Sequence, residues 1–284
     1  MSALIYRYRK LKTVFTYLLL ILVTTVSLFP LLWGIASSLR TDAELFRYAI
    51  PFSYRTLIPQ EPTFAAYITL FTEFNFLQPL MNTLIVCAIS ILLSCTINSI
   101  AAYSFATYNF KFKKFLFGII LISFMIPFEA IALPLYGVVD GLGWINTRQG
   151  IIFPGIASGL VLFLFTQFFK DLPPSLMEAA RVDGASGKTI FISIIMPLSI
   201  PVFITAGLMV FMAQWNAFLW PLLVARGPSI RMIQTALSDF HTEFGTLWSL
   251  LYAGSIVSAL IPLLLFLPLQ RFFVQGVTSS GIKG

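Results

Sequence analysis

Glu178-Ala-Ala-Arg-Val-Asp183-Gly184-Ala185, followed by Ile194-Ile-Met-Pro197, is a small polar island between two long apolar segments. Its surroundings decide the fold. On either side, residues 149–169 and 189–225 contain no Asp, Glu, Lys or Arg, and the same holds for 13–39, 74–110 and 244–270. Each interval is at least as long as the roughly 20 residues that cross about 30 Å of hydrocarbon as helix. A further apolar segment, 115–137, is interrupted only by Glu129. Helices satisfy their own backbone hydrogen bonds inside lipid, so these runs predict an all-α membrane protein with about six transmembrane helices. Composition agrees: 58% of the chain is hydrophobic, 10% is charged and mean hydropathy is +0.90. Soluble chains are about a quarter charged.

The expected spans are 14–37, 80–104, 115–137, 149–169, 198–223 and 249–270, within one transmembrane domain covering 1–284. Six spans put both termini on one side. That side then holds Arg7, Arg9, Lys10, Lys12, the Lys111–Lys114 cluster, Lys170, Arg181, Lys188, Arg271 and Lys283, twelve of the eighteen basic residues. The excess marks it as cytoplasmic. The net charge of +7 is accounted for by acidic headgroups and topogenesis, without nucleic acid. The basic N-terminus mimics a secretory signal, but its apolar run is too long and no small-residue cleavage site ends it, so an uncleaved span is expected. Cys87 and Cys95 share one run, about 12 Å apart along a helix, too far for a disulfide. Longer outer connections are expected at 39–78, with a short surface helix near 63–73, and at 225–248. Trp33, Tyr103, Tyr136, Trp144 and Trp220 lie near span ends, where amphipathic rings favour the interface. Pro30, Pro127, Pro134, Pro201 and Pro262 predict kinks.

The polar island reads locally as helix–turn–helix. Pro173-Pro174 stops the fourth span. Ser175 and Glu178 fit a capping box, Gly184 fits a left-handed helix end, and Leu176, Met177 and Ala180 form a small apolar face. A second helix is expected from about Lys188 to Met196-Pro197. Gly184-Ala-Ser-Gly187-Lys188-Thr189 mimics a phosphate-binding loop, but Val182 occupies the position of the first glycine and a helix precedes it, where that motif requires a strand.

Glu178, Ala179, Ala180, Gly184, Ile194 and Pro197 together resemble the EAA loop of ATP-binding-cassette (ABC) importer permeases: Glu-Ala-Ala, three residues, Gly, nine residues, Ile-x-Leu-Pro. Met196 replaces the usual Leu, a volume-conserving change. Ala213-Gln-Trp215-Asn216-Ala-Phe-Leu-Trp220-Pro221 and the tail Leu269–Gly284 are similar to the carbohydrate, MalG-like permeases, as are Met125-Ile-Pro127 and Pro134-Leu-Tyr136. The likeness extends over almost the whole chain.

The resemblance implies a type I importer permease fold with a cytoplasmic coupling helix, in the cytoplasmic membrane of a bacterium or archaeon. It implies ATPase-coupling roles for Glu178, Ala179, Ala180, Asp183, Gly184 and Pro197, and a C-terminal tail beside the ATPases. Partners would be a second homologous permease, an ATPase dimer, an extracytoplasmic binding protein and a sugar. ATP and Mg would sit on the ATPase subunits, with no cofactor in this chain. Sugars are held by polar groups and aromatic faces, so Glu129, Asn82, Asn98, Gln214, Trp215, Asn216 and Trp220 are candidates for the substrate pathway. Each has a plainer reading as interhelical bonding or an interface anchor. Glu129, the only acid within a span, either faces a cavity or pairs with Arg148 or an Asn.

His241 has no companion of metal-ligand type, and no Ser/His/Asp or paired-carboxylate set suggests an enzyme. An importer for a polyamine, sulfate or glycerol-phosphate is the main alternative, since the loop reports coupling and not cargo. An ion-driven secondary transporter would show internal repeats and paired broken helices, which the sequence lacks.

Overall fold

The computed structural model describes residues 2–243 and 245–278; the tail residues 279–284, part of the segment expected beside the ATPases, lie outside them. The chain divides into two compact units, residues 1–76 with 239–259, and residues 77–238 with 260–284.

In the first unit, α1 (Ser2–Ser38) leads into three short helices, α2 (Asp42–Arg47), α3 (Tyr54–Leu57) and α4 (Ala65–Thr72). The last matches the expected surface helix. The most apolar window of α1, within Lys12–Ser38, has no buried residue, as for a helix that meets lipid or other chains. Arg40 organises the connection. Its guanidinium, 2% exposed, donates to Thr56 O at 2.8 Å and Arg55 O at 2.9 Å, with Nε 3.7 Å from Glu44 Oε1. Glu44 Oε1 in turn accepts the Gln60 N–H at 2.7 Å. A buried cation is tolerable only with such partners. Phe74 and Phe76 pack on Phe240 with ring centroids 5.3 and 6.3 Å apart. Two short antiparallel strands, β1 (His241–Thr242) and β2 (Gly245–Thr246), follow, and His241 Nδ1 bonds Thr246 Oγ1 at 2.9 Å. Asp42 Oδ1 accepts the Ser249 N–H at 2.7 Å, placing a carboxylate at the start of the helix that begins at Trp248.

In the second unit, α5 (Leu77–Thr107) is the axis. After it come α6 (Lys113–Phe124), α7 (Phe128–Gly141), α8 (Arg148–Ile152) and α9 (Gly159–Asp171), then α10 (Pro174–Val182), α11 (Gly187–Ile190), α12 (Met196–Leu198) and α13 (Ile200–Trp215), with α8, α9 and α13 packed against α5. α14 (Leu219–Val224) and α15 (Ile233–Ser238) follow, and α16 (Trp248–Thr278) begins in the first unit and belongs to the second from residue 260. Among the described residues three helices are long and apolar enough to cross a membrane, and six spans result if each of three bent pairs counts as one. The number agrees with expectation. The bends are sharper than kinks: 98° between α6 and α7, 46° before α9 and 79° before α13. The first falls at Met125-Ile126-Pro127, where proline and its predecessor resist helix. Pro30, Pro134 and Pro262 stay inside continuous helices.

Broken helices inside lipid expose backbone groups that must be satisfied. Asn98, buried on α5, does this for the second break. Its Nδ2 donates to Ile156 O at 2.8 Å, and its Oδ1 accepts the Ser158 N–H at 3.2 Å. One apolar core joins α5, α9 and α13 through Cys95, Ala102, Phe165, Phe169, Val202 and Ala206. A second, nearer the start of α5, collects Val86, Ile151, Trp220, Val224 and Met232. Cys87 and Cys95 are free and buried. Tyr103 and Trp220 were expected at the lipid interface, but both are buried. Trp220 is held there because its Nε1 finds Gly150 O at 3.0 Å.

Candidate functional site

α10 and its flanking turns form the candidate site. The helix starts one residue before the expected cap. Pro173 is the N-cap and Pro174 occupies the first helical position, where its fixed φ and missing N–H carry no penalty. Ser175 therefore already lies inside the helix, and no side-chain cap forms; the expected Ser175–Glu178 capping box is absent. The C-terminus behaves as the sequence suggests. Gly184 has φ +81°, the Gly184 N–H reaches Arg181 O at 3.0 Å and the Ala185 N–H reaches Ala180 O at 2.9 Å. This is the Schellman arrangement, which a β-carbon would strain.

The packed face of α10 is Met177 and Ala180, one turn apart, with Ala185 completing it against the core of α5, α9 and α13. Thr107 Oγ1, at the end of α5, donates to Met177 Sδ at 3.8 Å. Leu176 is not on this face, contrary to expectation; it is exposed, as are Glu178, Ala179, Arg181, Val182 and Asp183. Leu176, Ala179 and Val182 follow one another at helical spacing, and Val182 is 87% exposed. So the helix turns one apolar stripe inward and offers a second outward, flanked by charges of both signs.

The loop is tied down on its far side as well. Ser186 caps α11, with its Oγ accepting the Thr189 N–H at 3.1 Å. A helix and turn precede this Gly187-Lys188-Thr189, so the phosphate-loop look-alike lacks its strand. Phe191 packs on Tyr103 with centroids 5.1 Å apart. Residues 191–195 then adopt a π-helix, Pro197 lies in α12, and the 79° bend follows around Ser199. Thr107 and Tyr108 were not singled out from sequence, and Tyr103 was read only as an interface residue; no motif marks residues whose role is to receive a distant loop.

The proposed pathway residues scatter over the other half of the unit. Asn82 and Thr107 are 25 residues apart on α5, about 37 Å at 1.5 Å per residue. Asn82 is buried and fully engaged: Nδ2 donates to Ser229 O at 2.9 Å and Arg231 O at 3.2 Å, and Oδ1 faces Arg148 at 3.5 Å. Arg148 thus meets Asn82, not Glu129. Glu129 itself is exposed in the first turn of α7, just past the 98° bend. Its neighbour Phe128 meets Trp220 edge-on at 5.8 Å. Gln214 is half-buried with its amide against Gly155. Asn216 is exposed, its Nδ2 on Met212 O at 2.9 Å. Trp215 is buried, stacked on Phe211, and its carbonyl accepts from Gln234 at 3.1 Å. Glu129, Gln214 and Asn216 therefore keep polar atoms available, whereas Asn82, Trp215 and Trp220 brace the fold. An apolar groove of about 580 Å³, lined by Ile91, Cys95, Phe203, Gly207 and Leu265, lacks the polar array a polyol needs.

Comparison with known proteins agrees with this geometry. Residues 94–279 match the family of binding-protein-dependent transport system inner membrane components. The arabinooligosaccharides transport system permease protein AraQ of Halalkalibacterium halodurans is 34% identical, over 97% of this chain and 99% of AraQ. The lactose transport system permease protein LacG of Rhizobium radiobacter is 29% identical, over 96% of this chain and 97% of LacG. The trehalose/maltose transport system permease protein MalG of Thermococcus litoralis is 29% identical, over 93% and 94%. In three dimensions a crystal structure of a bacterial ABC transporter involved in the import of the acidic polysaccharide alginate contains a chain that superimposes with a TM-score of 0.81. That match is 20% identical and covers 92% of this chain and 96% of the other; it establishes the shared fold.

Proposed function

Because this chain belongs to the family of binding-protein-dependent transport system inner membrane components, we propose that it translocates a sugar or oligosaccharide across the cytoplasmic membrane, driven by ATP hydrolysis on partner subunits. The observation that carries the coupling part is the outward stripe of α10. Leu176, Ala179 and Val182 are solvent-facing on a helix whose other face is fixed by Met177 and Ala180. An exposed apolar stripe rimmed by Glu178, Arg181 and Asp183 suits the cleft of an ATPase subunit.

In this reading the ATPase dimer holds ATP and Mg, and its closure displaces α10. Met177, Tyr103 and the Schellman turn at Gly184 make the loop stiff enough to pass that displacement to α13. ATP drives the cycle only through tighter binding to one of two states. A second permease completes the pathway, consistent with an α1 whose most apolar window has no residue buried in this chain. An extracytoplasmic binding protein delivers the substrate. The end bearing Lys111, Lys113, Lys114, Lys170, Arg181 and Lys188 is cytoplasmic by its charge. Glu129, Gln214 and Asn216 are the groups best placed to bond sugar hydroxyls. The sugar class rests on the relatives' cargo.

The test is uptake into proteoliposomes holding this chain with its cognate permease, ATPases and binding protein. Uptake of a labelled oligosaccharide that requires ATP inside and the binding protein outside is the expected result. Uptake that persists without ATPase subunits contradicts the proposal.

A further inference from the structure

The segment joining α5 to α6 reads Tyr108-Asn-Phe-Lys-Phe-Lys-Lys-Phe115, aromatic and basic residues interleaved, and beyond Tyr108 the coupling argument does not use it. No acidic residue occurs between Glu73 and Glu129, so the segment sits in the middle of a long stretch without negative charge. Tyr108, Phe110, Phe112 and Phe115 are all exposed, Phe112 at 64% and Phe115 at 66%. Lys111 and Lys114 are exposed too, while the half-buried Lys113 donates from Nζ to Tyr108 O at 2.8 Å. Lys111 Nζ stands 5.2 Å from the Phe112 ring centroid. From the neighbouring α9, Lys170 Nζ stands 5.3 Å from the ring of Phe117, and Asp171 is the acid beside it in sequence. Among the described residues none of these four lysines has a carboxylate within salt-bridge distance.

The backbone adds a second observation. Phe112 has φ +65°, a left-handed conformation uncommon for a bulky side chain. The local turn holds this backbone, with the Lys113 N–H on Phe110 O at 3.3 Å and the Leu116 N–H on Phe112 O at 2.9 Å, while the Phe112 ring stays mostly uncovered by this chain. Rings that immerse at headgroup depth, alternating with ammonium groups at phosphate level, match the chemistry of a bilayer surface.

We infer that Lys111, Lys113, Lys114 and Lys170, with the rings of Phe112 and Phe115, form a binding site for the phosphate headgroup of an anionic phospholipid. The site lies at the end of the unit that carries α10, because Tyr108 lies against Gly187 of the coupling loop. Bound lipid therefore anchors the support on which that loop rests. The placement at the cytoplasmic leaflet rests on the orientation given above; the lipid contact does not.

The experiment uses the assembled transporter in nanodiscs of phosphatidylcholine with a minor fraction of phosphatidylglycerol. Association of spin-labelled phosphatidylglycerol is compared with that of spin-labelled phosphatidylcholine. The intact protein is expected to prefer the anionic lipid, and Lys111→Gln/Lys114→Gln, which leaves the Lys113–Tyr108 bond in place, to weaken that preference by about fivefold per lysine at low salt. The double Arg variant should retain it, and millimolar glycerol phosphate in solution should not displace the lipid. A Phe112→Trp probe gives an independent readout: quenching by brominated lipid supports the site. Equal association of both lipids, an unchanged preference in the double Gln variant, displacement by soluble phosphate, or quenching of Trp only by aqueous iodide each overturns it. Protection from both quenchers assigns the patch to a protein partner and also overturns it. None of these readouts involves sugar uptake, so a failed transport assignment is distinguishable from a failed lipid site.

Discussion

The phenol of Tyr108 lies so close over Gly187 that a β-carbon at Gly187 would collide with Tyr108 Oη. This contact joins the residue just past α5, the axis of its unit, to the first residue of α11. With Thr107 on Met177 and Tyr103 on Phe191, it makes the end of α5 the seat of the loop that carries α10.

Gly187→Val is therefore expected to lower the thermal stability of the purified transporter, and to do so less in a Tyr108→Ala background. Side chains in direct contact couple by about 0.5–3 kcal/mol. Additive losses in the double variant would show that the two residues do not meet.

At Gly184 the expectation separates strain from docking. A β-carbon there meets open space but sits at φ +81°, so Gly184→Ala should cost about 1 kcal/mol through backbone strain alone. Gly184→Trp starts from the same open space at its β-carbon and adds an indole two residues past Val182 of the outward stripe. Its sugar uptake should fall well below that of Gly184→Ala at equal expression. Equal uptake by the two variants would mean that nothing docks there.

Much of this site was legible because it is local. Gly184 at the end of an Ala-rich turn announces a left-handed residue, and the spacing from Glu178 to Pro197 carries the family likeness. What was not legible depends on distant chain. The capping box failed because Pro174 takes the first helical position and draws Ser175 into the helix. Leu176 faces outward because the packed side is fixed by Thr107 and the core of α5, which no 20-residue window contains. Proline positions signalled kinks, but not that the chain would turn by 98° at Pro127 while staying helical through Pro134.

Arg40 shows the same limit. In the sequence it is one outer cation among six; in the fold it is a buried hub bonded to Thr56 O and Arg55 O, with Glu44 beside it. Arg40→Met should destabilise the connection that follows α1 by about 3 kcal/mol, because it strands a buried carboxylate. Arg40→Lys should not rescue it, since an ammonium cannot reproduce the fork. Hydrogen exchange across 41–63 is the measurement, and unchanged protection in Arg40→Met would contradict this role.

Asn98 offers a test inside the membrane. Asn98→Leu leaves Ile156 O and the Ser158 N–H without their partner, at roughly 1–3 kcal/mol for each unsatisfied group. A fall in the midpoint of thermal unfolding in detergent is expected. Retention of the wild-type midpoint would show that the break is satisfied by other means.

The central claim is that the outward stripe of α10 is gripped by an ATPase, and a photocrosslinking amino acid at Val182 tests it most directly. In the assembled transporter, illumination should join this chain to an ATPase subunit, with a yield that changes when ATP is added. A crosslinker that captures only lipid, or a Val182→Cys thiol labelled by impermeant reagent from outside the cell, would contradict the account.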